Sequence, residues 1–495
     1  MSAESNRRAI FMASFMTLIA AGVGFAIRGG ILGDWSAQFG FTKAELGNIT
    51  GGGLVGFGVT IIVCSLFADT IGYKPMLAGA FILHLLSAAV TFAATPVYAA
   101  QGKDATYWCL YIGMFMFALA NGLCEAAINP LVATLYPKQK THYLNILHAG
   151  WPGGLIVGGL LAYCFVGKDA AFTPVRWEIA MGFFLIPTLI YGLITLKEKF
   201  PVSEARAAGV SFGEMLLQFA SPILLALFVL HAMVGYVELG TDSWISNIMK
   251  NVIPGNEMLL FVYTSGIMFV LRFFAGPIVE HINPLGLLFI SAVLGAAGLY
   301  LLGTVETGIA IIVAASVYGV GKTFLWPTML GVVGERFPKG GALTMGTMGG
   351  IGMLSAGLLG GPGIGYKQDK FASQYLRETD PSAYERFAAA EPNSFLFFPP
   401  VTGLDGKKVA ALQDMIAEKA TLTPTEEQDK GPVLQAGIFG GRMALRLTAA
   451  VPAAMAVGYL LLLIYFKATG GYRVVELQHG DGERYTGGVE GPMEA

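Results

Sequence analysis

Long apolar runs recur along almost the whole chain and constrain its fold more than any other feature. A helix needs about 20 mainly apolar residues to cross the hydrocarbon layer of a membrane. Twelve runs meet that criterion, near residues 9–33, 45–67, 76–96, 107–136, 143–166, 177–196, 218–245, 258–277, 284–303, 308–333, 341–363 and 441–466. The sequence therefore predicts an all-α membrane protein with twelve transmembrane helices.

The composition agrees with a chain whose surface largely faces lipid. Of its 495 residues, 54% are hydrophobic and 13% are charged, whereas soluble domains carry about 25% charged residues. The net charge of −2 lacks the basic excess of nucleic-acid-binding proteins. No spacing of histidine, cysteine and acidic residues is typical of a metal, cofactor or catalytic site. We therefore expect no enzymatic activity, no metal, no cofactor and no nucleic-acid partner.

Basic residues are concentrated in the links after the second, fourth, sixth and tenth runs. These residues are Lys74, Lys138, Lys140, Lys197, Lys199, Arg206, Arg336 and Lys339. Cytoplasmic loops carry the excess of lysine and arginine. The pattern predicts a multi-pass protein of the cell membrane, inner or plasma, with both termini in the cytoplasm. We expect it to be a monomer in the bilayer.

The two halves of the chain contain similar motifs at corresponding positions. Asn129-Pro130 ends the fourth run before a basic loop, and Trp326-Pro327 does the same for the tenth. Internal duplication of six-helix units is typical of transporters with a central, alternating-access site. We predict an N-terminal half at 1–196, a central cytoplasmic linker at 197–217 and a C-terminal half at 218–495.

A long polar insert at 364–440 interrupts the C-terminal half before the last run. The predicted topology places it outside the cell, and it is too long for a plain connector. Two interpretations stay open at this point: a small cap over the external mouth, or a solvated loop.

Seven ionisable residues inside the apolar runs are candidates for a functional role: Arg28, Glu125, His148, Glu238, Asp242, Arg272 and Lys322. Each costs about 3 kcal/mol on insertion scales and therefore calls for a partner or a function. Such residues mark substrate and ion pathways, or they pair with one another.

Glu125 is the strongest candidate for proton coupling. Asn121, Glu125 and Asn129 are spaced four residues apart and form one polar stripe on a helix. A carboxylate in apolar surroundings takes up a proton more readily than one in water. The alternative is a structural ion pair with Arg28 or Lys322. We predict that both asparagines contribute to substrate binding.

The other candidates follow from their position in the runs. Arg28 and Lys322 either bind a substrate carboxylate or neutralise acidic residues. Glu238 and Asp242 share a helix face and form a substrate contact, a gate or a pairing site. His148 is either a hydrogen-bonded core residue or a substrate contact.

Arg272 and Trp326 complete this set of candidates. Arg272 is predicted near the inner end of the eighth helix, where it extends to the interface or holds a gating loop. Trp326 is expected to stack on an apolar substrate face, beside Lys322.

Several motifs resemble those of known transporters. The loop from Ser65 to Lys74, with Asp69 and Gly72, is similar to the G-x-x-x-D-x-x-G-x-[RK] signature of the major facilitator superfamily. It departs from that signature at Ser65 and Thr70, where glycine and a basic residue are usual. The resemblance implies a two-half, twelve-helix fold and a gating role for Asp69, Gly72 and Lys74.

The chain also resembles the fucose–proton symporter family of sugar permeases. The resembling stretches are Glu125 to Pro130, Tyr143-Leu144-Asn145, Tyr236-Val237, Ser243-Trp244, Trp326-Pro327-Thr328 and Gly349-Gly350. It implies that Asn145 contacts substrate. One departure is in the first helix, where the family's aspartate is absent and the stretch reads Ala26-Ile27-Arg28-Gly29-Gly30.

Three functions follow as hypotheses. The first is a permease for a monosaccharide, a carbohydrate transporter that works by proton symport through Glu125. The second keeps the fold and carries a sugar acid or another organic anion, because Arg28 and Lys322 are cationic. The third is a non-transporting membrane receptor that binds a partner through the insert at 364–440.

Overall fold

The computed structural model describes residues 3–167, 170–252, 257–306, 308–417, 419–477, 489 and 491–494. Within these ranges, eleven helices are long and apolar enough to cross a membrane, and Leu260–Arg272 is a shorter apolar helix. The predicted all-α fold with twelve transmembrane helices is confirmed.

The first six transmembrane helices, numbered 1 to 6 here, form the N-terminal half. Their bounds are Ala3–Gly30, Lys43–Ser65, Tyr73–Phe92, Ala94–Leu135, Lys140–Phe165, and Trp177–Gly182 with Leu185–Lys197. Short helices at Leu32–Phe39 and Ala68–Ile71 follow helices 1 and 2. The linker to the second half contains Glu204–Ala207 and Phe212–Leu217.

Helices 7 to 12 form the C-terminal half, and several of them are interrupted. Helix 7 consists of Pro222–Gly235, Tyr236–Gly240 and Thr241–Val252, helix 8 begins as Glu257–Arg272, and helices 8 and 9 share Ala275–Leu302. Helix 10 consists of Gly308–Thr323 and Leu325–Arg336, and helix 11 of Gly341–Ser355, Ala356–Gly360 and Gly361–Thr379. Helix 12 consists of Pro424–Thr448 and Ala450–Ala468.

The boundary between helices 8 and 9 lies at Asn283, which has a φ of 53° inside Ala275–Leu302. Helix 8 therefore continues past its first segment as far as Asn283. The sequence predicted its end near residue 277. In this longer helix, Arg272 lies away from the inner end and nearer the middle of the helix.

The insert at 364–440 contains regular structure. Helices 11 and 12 extend into it, and Pro381–Phe387 and Gly406–Ala417 lie between them. These elements share a small hydrophobic core of Ala372, Leu376, Ala383, Phe387, Leu412, Val433 and Ala436. We call this side of the membrane the insert side and the opposite side the linker side.

Glycines allow the helices around the centre to approach closely. A Cβ on Gly235 in helix 7 would lie 2.0 Å from the Gly352 carbonyl oxygen in helix 11. Further along the same pair, a Cβ on Gly240 would lie 2.7 Å from the Gly360 Cα. Small residues at such crossings drive helix association in lipid, where water exclusion contributes little between helices.

We expect Gly235→Ala to destabilise the bundle by about 1–3 kcal/mol, because the methyl group has no space beside the Gly352 carbonyl. The measurement is the thermal unfolding midpoint of the purified protein in detergent. Gly266→Ala in helix 8 is the matched control, since a Cβ at that position would meet no atom within 4 Å. Equal midpoints for the two variants would contradict a tight crossing of helices 7 and 11.

Candidate functional site

A small cavity lies between the two halves near the middle of the bundle. The N-terminal half contributes Glu125, His148 and Trp151, and the C-terminal half contributes Glu238, Leu239, Arg272, Trp326 and Met353. Its volume is about 20 Å³, which is enough for about one water molecule. A solute of sugar size therefore requires the halves to move apart before it enters.

Glu125 faces this cavity and is bound by a neighbour on its own helix. The Asn129 Nδ2 donates to the Glu125 Oε2 at 2.6 Å, and the Asn129 Oδ1 lies 2.9 Å from the His148 Nε2. Among the described residues, no lysine or arginine forms an ion pair with Glu125. The alternative in which Arg28 or Lys322 pairs with Glu125 is wrong.

Asn121 does not share the environment of the other two members of the polar stripe. Its Oδ1 lies 3.2 Å from the His84 Nε2, and the His84 Nδ1 lies 2.8 Å from the Tyr191 hydroxyl. Positions eight residues apart on a helix differ by about 80° in direction. Asn121 therefore points into the N-terminal half, and the prediction that it binds substrate finds no support in its position.

Arg28 is buried within the N-terminal half, outside the cavity lining. Its guanidinium lies 3.6 Å from the Phe117 ring centroid and 5.0 Å from that of Phe184. It donates to the Gly24 carbonyl at 3.2 Å and to the Ser87 hydroxyl at 3.4 Å. No ion pair joins it to a carboxylate in the described part of the chain. Cation–π contacts thus take the place of an acidic partner.

Arg272 lines the cavity and donates hydrogen bonds to three other helices. Its Nε donates to the Thr323 carbonyl at 2.7 Å, its Nη1 to the His148 carbonyl at 2.6 Å and its Nη2 to the Glu238 Oε1 at 3.0 Å. The prediction that it holds an inner gate is therefore wrong. Helix 8 is longer than expected, and this residue is 1% exposed.

Two prolines explain why carbonyls are available to Arg272. A proline inside a helix lacks the N–H that would bind the carbonyl four residues earlier. Pro152 in helix 5 leaves the His148 carbonyl without that donor, and Pro327 in helix 10 does the same for Thr323. The guanidinium satisfies both freed carbonyls, one in each half.

Glu238 lies in a π-helical segment of helix 7, Tyr236–Gly240. Such segments are frequent at functional sites because they change the direction of side chains. Arg272 binds its Oε1, while its Oε2 is buried and has no hydrogen-bond partner. This second oxygen is an acceptor without a partner, on a residue that lines the cavity.

Lys322 and Asp242 pair with each other. The Lys322 Nζ lies 2.6 Å from the Asp242 Oδ1 and 2.8 Å from the Oδ2. Neither residue lines the cavity. Helix 10 breaks at Phe324, with φ −101° and ψ −4°, and this break separates Lys322 from Trp326. The expectation that the two residues share a face is therefore wrong.

Trp326 and Asn145 lie where the halves meet. Trp326 borders the cavity, and its ring centroid is 4.6 Å from that of His231. Asn145 in helix 5 donates to the Thr328 hydroxyl in helix 10 at 3.1 Å. Asn145 thus contacts the opposite half, and it is absent from the cavity lining.

Two buried histidines, His84 and His231, are not among the residues predicted from the sequence. His231 is 0% exposed, and neither of its ring nitrogens has a hydrogen-bond partner. His84 binds Asn121 and Tyr191, as described above. A histidine inside an apolar run is visible in the sequence, so a complete list of intramembrane ionisable residues would have included both.

Asp69, Gly72 and Lys74, for which a gating role is predicted, lie on the linker side, where contacts join the halves. The Asp69 Oδ2 accepts from the Ala342 N–H at 3.3 Å, at the start of helix 11. Burial raises the pKa of the Asp69 carboxyl, and this backbone donor partly opposes the effect. The Lys74 Nζ donates to the Glu198 carbonyl at 2.9 Å. Gly72 has a φ of 93°, which favours glycine.

Further contacts on the linker side join helix 5 to the linker and to helix 10. The Lys140 Nζ donates to the Glu204 Oε2 at 2.6 Å and to the Gly334 carbonyl at 3.0 Å. The Thr141 hydroxyl donates to the Glu335 Oε1 at 2.6 Å. These bonds hold the halves together on the linker side of the cavity.

The sequence matches the model of the Major Facilitator Superfamily over residues 11–362. The chain belongs to this superfamily. Members of the superfamily are transporters rather than enzymes, and many apolar helices make this chain a multi-pass membrane protein. A search of curated protein sequences gives no match.

Solved structures with the same fold cover nearly the whole chain. The E. coli fucose:proton symporter FucP, in the outward conformation, has a TM-score of 0.57 and 16% identity over 91% of this chain and 98% of that chain. The proton:xylose symporter XylE has a TM-score of 0.63 and 12% identity over 92% and 95%. The human organic anion transporter MFSD10 has a TM-score of 0.57 and 13% identity over 92% and 99%.

We expect Asp242→Asn to destabilise the protein by about 3–5 kcal/mol, because it leaves the buried Lys322 charge without a partner. The double variant Asp242→Leu/Lys322→Met removes both charges and should recover most of that loss. Thermal unfolding in detergent measures both effects. A double variant no more stable than the single one would show that the pair does more than neutralise itself.

Proposed function

We propose that this chain is a secondary active transporter that carries a monosaccharide together with a proton, by alternating access to the central cavity. The proposal rests on which of the charged residues near that cavity are paired. Arg272 and Lys322 are each paired with a carboxylate, whereas Glu125 faces the cavity with an amide as its described partner.

Glu125 has the properties that a proton carrier needs. It lies between the halves, where opening on either side brings water to it in turn. Its charge is not balanced by a described cation, so the protonated form is the one that an apolar bundle tolerates best. A proton taken up on one side is then carried through the closed state as part of a neutral group.

A neutral polyhydroxylated substrate fits the remaining groups. Trp151 and Trp326 border the cavity from opposite halves, and aromatic faces pack well on apolar sugar faces. The Glu238 Oε2, which has no hydrogen-bond partner, can accept a hydrogen bond from a substrate hydroxyl. The fold neighbours FucP and XylE, named as fucose and xylose symporters with protons, support the same substrate class.

Alternating access requires bonds between the halves to form and break. On the linker side these are the Thr141–Glu335 and Asp69–Ala342 contacts, and near the centre the Asn145–Thr328 contact. We propose that the two six-helix halves rock about the cavity and that the linker-side contacts act as the gate. We also propose that the chain is a monomer in the cell membrane with both termini in the cytoplasm.

Glu125→Gln is expected to retain counterflow exchange of the substrate but to lose accumulation driven by a pH gradient, because glutamine binds no proton. The measurement is uptake of labelled sugars into proteoliposomes with and without an imposed pH gradient. Uptake by this variant in the presence of the gradient should fall to the level seen without it.

Glu306→Gln serves as the control for this experiment. Glu306 pairs with Arg442 at 2.9 Å, is largely exposed, and lies outside the cavity lining. It should leave both exchange and accumulation unchanged. If Glu125→Gln still accumulates sugar with the pH gradient, the proton travels by another route and the coupling proposal is wrong.

A second candidate function is transport of a sugar acid or another organic anion. One observation favours it: MFSD10, named as an organic anion transporter, shares the fold. If this candidate is correct, wild-type proteoliposomes take up hexuronates in preference to the matching neutral sugars.

A further inference from the structure

Two acidic residues of helix 7, four positions apart, each form an ion pair with a basic residue of another helix, and only one of these pairs lines the cavity. Glu238 pairs with Arg272 at 3.0 Å, and both residues line the cavity. Asp242 pairs with Lys322 at 2.6 Å, and neither lines it. Only the first pair is therefore placed to meet a substrate in the closed cavity.

We infer that Glu238 sets the charge selectivity of the cavity by occupying Arg272. A guanidinium binds carboxylates through parallel N–H groups and is the side chain best suited to anion recognition. In this chain the Nη2 already binds an internal carboxylate, and the Nε and Nη1 bind the two carbonyls freed by prolines. Glu238 thus takes the position that the carboxylate of an anionic substrate would need.

The exclusion of anions has two physical components. An incoming carboxylate is repelled by the negative charge of Glu238, and like charges brought together without water are strongly unfavourable. It also finds the Arg272 donors described above already bound. Specificity of this kind rests on penalising the wrong ligand as well as on binding the right one.

The same pair favours a hydroxylated ligand. The Oε1 is bound by Arg272, and the Oε2 of this cavity-lining residue is an acceptor without a partner. This inference rests on the proposed function and narrows its substrate to neutral polyhydroxylated compounds. Glu238 is then a ligand for substrate hydroxyls, and Arg272 is the residue that positions it.

Removal of the Glu238 charge should convert the cavity into an anion site. The test uses the full-length protein in detergent, with two matched pairs of probes: glucose and glucuronate, and galactose and galacturonate. Binding is measured by the change in tryptophan fluorescence, since Trp151 and Trp326 border the cavity, and by the thermal unfolding midpoint. We expect Glu238→Gln to bind a hexuronate at least about tenfold more tightly than the wild type.

Asp242→Asn is the matched control, because it also frees a buried cation and lies on the same helix as Glu238. It should gain no hexuronate binding, since Lys322 does not border the cavity. Glu238→Gln/Arg272→Gln should lose the gain, because the anion would then have no guanidinium. An equal gain in Asp242→Asn, or no gain in a folded Glu238→Gln, would overturn the inference.

A second variant covers the case in which Glu238→Gln does not fold. Glu238→Ala leaves space beside Arg272 for a small carboxylate, so acetate should raise its thermal midpoint more than it raises that of the wild type. Absence of this rescue would also overturn the inference. If Glu238→Gln gains hexuronate binding while wild-type proteoliposomes take up no neutral sugar, the charge selectivity stands and the proposed function fails.

Discussion

The Arg272 guanidinium is the interaction on which the centre of this structure depends. An arginine buried in a helical bundle in lipid is tolerated only when its charge and its N–H groups are satisfied. Glu238 supplies the charge, and two carbonyls freed by prolines in helices 5 and 10 supply acceptors. The prolines and the arginine therefore stabilise one another, since each leaves buried polar groups that the other binds.

This arrangement gives the cavity its chemical character. Because Arg272 and Lys322 are each paired with another acid, Glu125 is left as the carboxylate available to a proton. The two halves of the protein contribute different chemical groups to the site. The N-terminal half offers Glu125 with its Asn129 and His148 neighbours, and the C-terminal half offers an oriented acceptor and an aromatic ring.

The small volume of the cavity agrees with an arrangement in which the two halves that enclose it are joined on the linker side. Contacts made by Asp69, Lys140 and Thr141 fix that side. Transport by rocking of the halves must break such bonds and form others elsewhere. The close glycine crossings within the C-terminal half, such as Gly235 with Gly352, instead keep helices 7 and 11 together.

The sequence by itself determined the twelve helices in two halves and most of the buried ionisable residues of the site, because hydrophobic length and the cost of buried charge are properties of local composition. It also singled out Glu125, which borders the cavity. Only the tertiary structure decided which charges pair. Arg272 lines the cavity because helix 8 is longer than its apolar run, and Lys322 in helix 10 pairs with Asp242 in helix 7. Such pairings depend on helix breaks and on contacts between distant segments, and neither is encoded in the spacing of residues along one helix.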